Sequence, residues 1–439
     1  MYLEFHYHPD GNVIAFLILF QLIWLLKYPI MSGQSGIKNP FNIIVIVAAL
    51  GYFVDIYDLV LFSILRRPSL IDIGVDDADL LSVGVWLLNM QMGGLLLGGI
   101  LWGILGDKKG RVSVLFGSIF LYSIANIANG FVSSVEAYAW LRLLAGIGLA
   151  GELGAGITLV SETMSKEHRG YGTMIVATVG ICGAVAAALI GDYFHWRTAY
   201  FIGGGMGILL LLLRIGVYES GLYRSLQDKK IPKGNFLQLF TNKKRFKRYL
   251  SIILIGIPIW YVVGILITFS PEIGRAMGMS EMPNAGKGIM YCYIGLAVGD
   301  FTSGFLSQVF KTRIKVILSF ILLTSFFMIF YFTIAHSSLT SFYVISTLLG
   351  FATGYWAVFI TTAAEHFGTN IRATVTTTSP NFVRGAVVLL TLLFEFGRGF
   401  IGIINSAIAV GVITIIIALI SLRFLEETFS KDLDYTEEN

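Results

Sequence analysis

The chain has 439 residues, of which 56% are apolar and only 13% charged, with a formal charge of +4. Soluble domains sit at about 45–50% apolar and about 25% charged, so an aqueous fold is excluded and nucleic acid is not expected as a partner. The two cysteines, Cys182 and Cys292, lie in separate apolar runs and read as inert thiols; neither a disulfide, a metal site nor a cofactor is signalled.

In chain order, the apolar stretch from Val13 to Leu26 is short for a membrane span, and no Lys or Arg precedes it as in a signal peptide. Met31 opens the polar run Ser32 to Lys38, which makes it the expected natural start, with residues 1–40 an N-terminal extension. Twelve apolar runs follow, at 41–64, 82–105, 112–131, 136–161, 171–192, 198–216, 249–270, 286–308, 315–335, 341–363, 375–396 and 402–422. Each has the length of a tilted helix crossing a bilayer. Between the sixth and seventh lies a basic segment, 218–248, the expected linker between six-helix bundles at 41–217 and 249–423; residues 424–439 form a tail.

With both termini placed in the cytoplasm, the outer side carries six of the 31 Lys and Arg (Arg66, Arg67, Arg197, Arg275, Lys287 and Arg398), two more (Arg142 and Arg384) fall within spans, and 23 remain inside. This asymmetry satisfies the positive-inside rule and predicts a bacterial inner-membrane location. The fourth span ends in Glu162 to Arg169 and the tenth in Glu365 to Arg372, two Glu-x6-Arg signatures separated by 203 residues. Equivalent signatures on equivalent spans predict an internal repeat, the usual construction of secondary transporters.

After the second span the chain reads Gly103-Ile-Leu-Gly-Asp107-Lys-Lys-Gly110-Arg111, which resembles the signature loop of the major facilitator superfamily. Arg142 to Gly148, Trp196-Arg197, Glu219-Ser220 and both Glu-x6-Arg signatures resemble further motifs of that family in order. With Tyr57-Asp58 in the first span they lean towards its proton-coupled sugar and organic-acid symporters. The resemblance implies an all-α fold of twelve transmembrane helices in two pseudo-symmetric bundles, and secondary transport without catalysis. Three departures bear on the branch. The fifth span, Val176 to Ile190, lacks the proline of drug antiporters; Leu95 to Gly98 lacks the arginine of some organic-acid symporters; and Gly304 to Lys315 lacks the aspartate of the signature loop.

Charged side chains inside spans cost roughly 2.5–3.5 kcal/mol on insertion scales and mark function by default. Asp55 and Asp58 stand three apart, on one face of the first helix, and Asp58 and Arg142 are expected at similar depth, where they could pair. The resemblance gives Asp58 and Arg142 the proton-coupling role, with Asp55 and Glu152 as further candidates. A carboxylate's charge depends on whether a guanidinium stands beside it, so protonation can follow which side the site faces; a static ion pair is the plain alternative. Gly103, Asp107, Gly110 and Arg111, with Glu162, Arg169, Glu365 and Arg372, are expected to gate by bonding helix ends in one access state.

Substrate is expected near the midplane between the halves. Candidate ligands are Asn89, Gln91, Trp260, Tyr261, Tyr291, Tyr293, Trp356, Asn381 and Arg384; Arg384, close after Pro380, suits an anionic group. The alternative for Arg384 is an ion pair with Asp300 or the cytoplasmic gate. The function expected is proton-coupled symport of a small polar metabolite, an organic anion, zwitterion or sugar-like compound, by a monomer in the bilayer. Drug or siderophore efflux, and a non-transporting nutrient sensor, are the alternatives. No Gly-Lys-Ser/Thr phosphate loop is present to drive transport with ATP.

Overall fold

The computed structural model describes residues 39, 41–109, 111–164, 169–219, 236–429 and 437; Met31 and most of the linker lie outside them. Helix α1 (Ile43–Asp72) starts behind Asn42, whose side-chain oxygen accepts from the N–H groups of Ile44 and Val45, satisfying two donors that a helix start leaves open. It closes just before Gly74, at φ +92°, a left-handed turn open to glycine.

α2 (Leu80–Lys109) and α3 (Arg111–Asn129) form a hairpin, and α4 is broken into Val135–Leu149 and Glu152–Thr163. α5 (Arg169–Tyr193) and α6 (Trp196–Glu219) complete the first half. α7 runs through Lys243–Tyr261, a π-helical turn Val262–Ile267 and Ser270–Ala276. Two carbonyls along it accept from tyrosines of neighbouring helices: the Tyr355 hydroxyl donates to Ile255 O and the Tyr331 hydroxyl to Leu266 O, each at 2.8 Å. α8 (Ala285–Val309) and α9 (Ile314–Thr333) precede α10, broken into Leu339–Thr353 and Trp356–Glu365.

The chain from Thr369 to Leu422 is two crossings. After Thr369–Gly385, the stretch Val387–Leu422 turns at Gly402, with φ 80° and ψ 168°. The Ser406 hydroxyl reaches back to Phe394 O at 2.7 Å, a contact that a straight helix rising about 1.5 Å per residue cannot make over this separation. The part before Gly402 belongs to α11 and the part after it is α12. Among the described residues, twelve crossings therefore stand where the sequence has twelve apolar runs. Large apolar side chains facing outward, among them Phe131, Phe396 and Phe400, suit a lipid surround.

The repeat runs deeper than its two signatures. Pro68 near the end of α1 matches Pro271 in α7; Gly74 matches Gly278, also at positive φ; and the α4 break at Ala150 and Gly151 matches the α10 break at Thr353 and Gly354. Packing repeats too. α1 lies along α5 and α2 along α4, as α7 lies along α11 and α8 along α10, while α2 meets α11 and α5 meets α8 across the seam between halves. Glycines permit the closest approaches. A Cβ at Gly183 of α5 would collide with the Phe53 carbonyl of α1, and one at Gly295 of α8 with the Thr347 carbonyl of α10.

Candidate functional site

Asp55 and Asp58 are both buried completely in α1, one turn apart as their spacing requires, yet their surroundings differ. Asp55 faces the seam. Arg384 of α11, 1% exposed, donates from Nη2 to Asp55 Oδ2 at 3.5 Å, so this ion pair joins the two halves in the interior. The guanidinium also lies 5.8 Å from the Trp260 ring of α7 and 5.9 Å from the Trp356 ring of α10, a cation–π setting. Its Nε and Nη1 have no acceptor, and neither has a donor for Asp55 Oδ1. Tyr52 and the buried Tyr293 stand within electrostatic reach of the pair.

Asp58 and Arg142 do not form the expected ion pair. Arg142 Nη2 donates to Asn126 Oδ1 at 2.8 Å and its Nε to Asn129 Oδ1 at 3.3 Å, and its guanidinium stacks on Tyr200 at 4.8 Å. Two asparagines of α3, three apart, have taken the guanidinium instead. Asp58 Oδ1 presses against Gly203 of α6, and neither of its oxygens receives a hydrogen bond. The two charges still feel one another through the interior.

Glu152 is held within the first half. Arg214 of α6 engages its carboxylate at two points, Nη1 to Oε2 at 3.0 Å and Nη2 to Oε1, with both side chains at most 2% exposed. Arg214 is thus a buried, paired charge although it lies near the end of the sixth apolar run. Asp300 is also spoken for: its Oδ1 accepts from the Ala357 N–H at 2.9 Å and caps the second part of α10.

Several substrate candidates gather at the seam. Asn381 donates to Ala150 O of α4 at 2.8 Å, Asn89 accepts from the Thr391 hydroxyl at 2.6 Å, and Gln91 donates to Leu59 O at 3.1 Å, the first two crossing between halves. Two candidates fall elsewhere. Tyr261 points into the second half, its hydroxyl on Ala407 O at 2.7 Å, and Tyr291 is 37% exposed and stacked on Tyr343 at the periphery. For Tyr291 the helical phase of α8 turns adjacent aromatics in different directions, so Tyr293 is inside and Tyr291 is not.

The seam is locked at the end where α1 and α7 finish. Arg66, buried, meets Glu272 at 2.7 Å; Arg67 meets Glu272 at 3.1 Å and Asp77 at 3.0 Å; Arg275 meets Asp77 at 3.0 Å. The hydrogen bonds from Arg275 and then Arg67 hold the Asp77 carboxyl below its ordinary range. A cavity of about 260 Å³ lined by Ile64, Arg67, Arg275 and Asn284 opens beside this chain of charges.

At the opposite end, Glu365 receives Arg313 at 3.2 Å and the Thr428 hydroxyl at 2.8 Å, while Arg372 Nε donates to the carbonyls of Ala364 and Phe367 at 3.0 and 3.2 Å. Glu427 of the tail takes the N–H groups of Arg313 and Ile314 at the start of α9. Partial burial pushes its pKa up less than these hydrogen bonds, led by that from the Thr312 hydroxyl, pull it down, and the carboxyl lies below its ordinary range. Gly103 lies near Thr378 of α11. Gly110 and the side chains of Asp107, Arg111, Glu162 and Arg169 lie outside the described residues.

A family model of the Major Facilitator Superfamily matches residues 48–379. The chain belongs to the major facilitator superfamily. Among superfamily relatives, a Bacillus subtilis (strain 168) protein named for niacin/nicotinamide transport is 27% identical over 77% of this chain and 84% of its own. The 3-(3-hydroxy-phenyl)propionate transporter of Escherichia coli (strain K12) is 26% identical over 73% and 80%, and the sialic acid transporter NanX of the same strain 25% over 66% and 71%. The crystal structure of a D-xylose-proton symporter superposes with a TM-score of 0.64 and 16% identity, covering 89% of this chain and 99% of that one. This protein is accordingly a multi-pass membrane transporter with the superfamily fold.

Sequence reasoning missed Tyr52, Arg214, the Asn126 and Asn129 pair and the lock of Arg66 with Glu272. A signal existed for two of them. Asn126 and Asn129 share a face of an apolar helix, and Glu272 follows Pro271 at the start of a helix turn, where an acid is favoured by the dipole.

Proposed function

We propose that this protein is a proton-coupled symporter of a small organic anion, working by alternating access of its two halves. The observation that carries the reading is Arg384: a guanidinium 1% exposed at the seam, with two of its three nitrogens lacking any acceptor, between two tryptophan rings. A buried guanidinium offers a fork of parallel donors that matches a carboxylate. The indole rings on either side suit a flat or ring-bearing body on that anion. Niacin, 3-(3-hydroxy-phenyl)propionate and sialic acid, named for the relatives, are all carboxylic acids.

Orientation follows from the distribution of charge, which sets the Lys- and Arg-rich linker, the α2–α3 hairpin and both termini in the cytoplasm. The lock of Arg66, Arg67, Glu272, Asp77 and Arg275 then closes the outer side, leaving the protein shut to the exterior. Buried carboxylates at Asp55 and Asp58 support coupling to protons, since such groups within a membrane are proton relays by default.

The test is uptake into proteoliposomes of radiolabelled nicotinate, 3-(3-hydroxyphenyl)propionate and N-acetylneuraminate, with the interior alkaline. Accumulation of at least one above its equilibrium level, lost in Arg384→Ala, is the expected result. Accumulation only when the interior is acid would mean efflux, and specific binding with no movement would mean a sensor.

A further inference from the structure

We propose that Asp55 and the substrate's carboxylate take turns on Arg384, so that each anion bound obliges one proton to ride on Asp55. This rests on the anion reading above and makes a different carboxylate, Asp55 rather than Asp58, the coupling group.

Three observations lead there. Asp55 and Arg384 come from opposite halves, so their contact must be broken or remade when the halves rock, whereas Glu152 with Arg214 and Asp58 near Arg142 lie within one half and travel together. The cross-seam contact is also loose: a single approach at 3.5 Å, with Asp55 Oδ1 and Arg384 Nε and Nη1 all unpartnered. Well-formed guanidinium–carboxylate pairs are two-pronged at about 2.7–2.9 Å, as Glu152 and Arg214 more nearly are. An arriving carboxylate therefore has both better geometry and free donors to gain.

The surroundings of Asp55 decide what happens next. From α1 itself come Tyr52 and Asp58; from α3 comes Tyr122; from α4 comes Glu152, engaged by Arg214; from α8 comes Tyr293, while Asp300 of that helix, capping α10, faces Tyr52. Among the described residues that face Asp55, the cation is Arg384. Once a substrate anion occupies it, an ionised Asp55 is left fully buried without a counter-charge, a state costing several kcal/mol. Taking one proton from the water that admitted the substrate removes that charge. The unloaded core then holds one positive and one negative charge, and the loaded core holds guanidinium, substrate anion and neutral Asp55. Both are neutral in sum, so a monoanion and its proton cross without moving net charge.

The experiment uses the full chain. Binding of nicotinate, 3-(3-hydroxyphenyl)propionate and N-acetylneuraminate is measured by thermal shift in detergent, and uptake in proteoliposomes whose potential is clamped with potassium and valinomycin. In the wild type, affinity should weaken by up to about tenfold per pH unit on the alkaline side, the slope for one linked proton, and uptake should follow the pH gradient while ignoring the potential. Asp55→Asn should bind with no such slope and retain one-for-one exchange, which ignores the potential because the loaded core stays neutral. Its net uptake, which must return an empty core carrying the uncompensated Arg384 charge, should now respond to the potential. If the asparagine variant fails to fold, Asp55→Glu, which keeps a titratable carboxyl, should keep the slope. Wild-type binding without a pH slope, or wild-type uptake driven by the potential, overturns the exchange while leaving the anion reading intact. Failure of every carboxylate to bind at any pH overturns the anion reading itself.

Discussion

Replacing Glu272 with glutamine tests whether the charge chain at the α1 and α7 ends is a gate. Arg66 is fully buried and spends Nη2 on Glu272 at 2.7 Å and on Thr268 O at 3.4 Å, while Arg67 meets the same carboxylate at 3.1 Å. Glutamine keeps the shape and one acceptor oxygen but removes the charge opposite Arg66. Breaking a buried pair from one side costs roughly 3–5 kcal/mol, and because Glu272 keeps 11% exposure the lower end, about 3 kcal/mol, applies. The contacts tie α1 to α7 only while this end is shut, so the cost falls on the closed state. At about 1.4 kcal/mol per tenfold, the ratio of open to closed should rise by about two decades. Ile64, 8% exposed, lines the cavity beside the lock and reports opening when replaced by cysteine in a background lacking Cys182 and Cys292. Its alkylation by a membrane-impermeant maleimide should accelerate steeply in Glu272→Gln. A rate unchanged within twofold, with normal labelling of a cysteine at exposed Ser133, would refute the gate.

Glu152→Gln should lower the thermal stability of the detergent-solubilised protein by roughly 3–5 kcal/mol by stranding Arg214; a normal melting temperature with coupling lost would return Glu152 to the proton pathway. Gly183→Ala should destabilise by roughly 1–3 kcal/mol, since its methyl group needs α1 and α5 to separate, and wild-type melting would show that the helices do not approach so closely. The lowered pKa of Asp77 has a defined consequence for pH. Its folded value lies below the ordinary carboxylate value, so its contribution is complete above about pH 4 and is lost only as the pH falls through the still lower folded value. Alkylation at Ile64→Cys, divided by that of a cysteine at exposed Ser133 to remove the thiolate's own pH dependence, should therefore be flat between about pH 5 and about pH 8, and an acid-triggered rise in that window absent from Asp77→Asn would contradict it.

What the sequence discloses depends on the range of the interaction concerned. Twelve apolar runs and the paired Glu-x6-Arg signatures are local patterns, and helices appear where those patterns fall, down to the reversal at Gly402 between the last two runs. Depth along a helix is likewise local, which is why the sequence places Asp58 and Arg142 at a similar level. Azimuth across a bundle is not. Whether Arg142 meets a carboxylate or the asparagines of α3 depends on how α1, α3 and α4 rotate against one another, and Tyr261 and Tyr291 were misplaced for the same reason. Arg214 illustrates the converse: near the end of an apolar run it resembles an interfacial cation, until Glu152 of another helix reaches it.

The placement of the buried arginines bears on how a two-bundle transporter links chemistry to motion. Arg142 and Arg214 each find their partners inside the first half, in Asn126 with Asn129 and in Glu152. If that half moves as a body, these contacts survive the motion unchanged and cannot by themselves register which side is open. A pair that spans the seam must respond, because rocking the halves changes its separation directly. In the interior that role falls to Arg384 with Asp55, and at the outer end to Glu272 with Arg66 and Arg67. The two are suited to different tasks: the outer contacts are short and multiple, which favours a lock, while the inner contact is long and leaves donors free, which favours exchange with a ligand. A carboxylate that displaces Asp55 removes the ionic tie between the halves in the interior, and rocking then has the outer lock and the neutral hydrogen bonds of Asn89 and Asn381 to break.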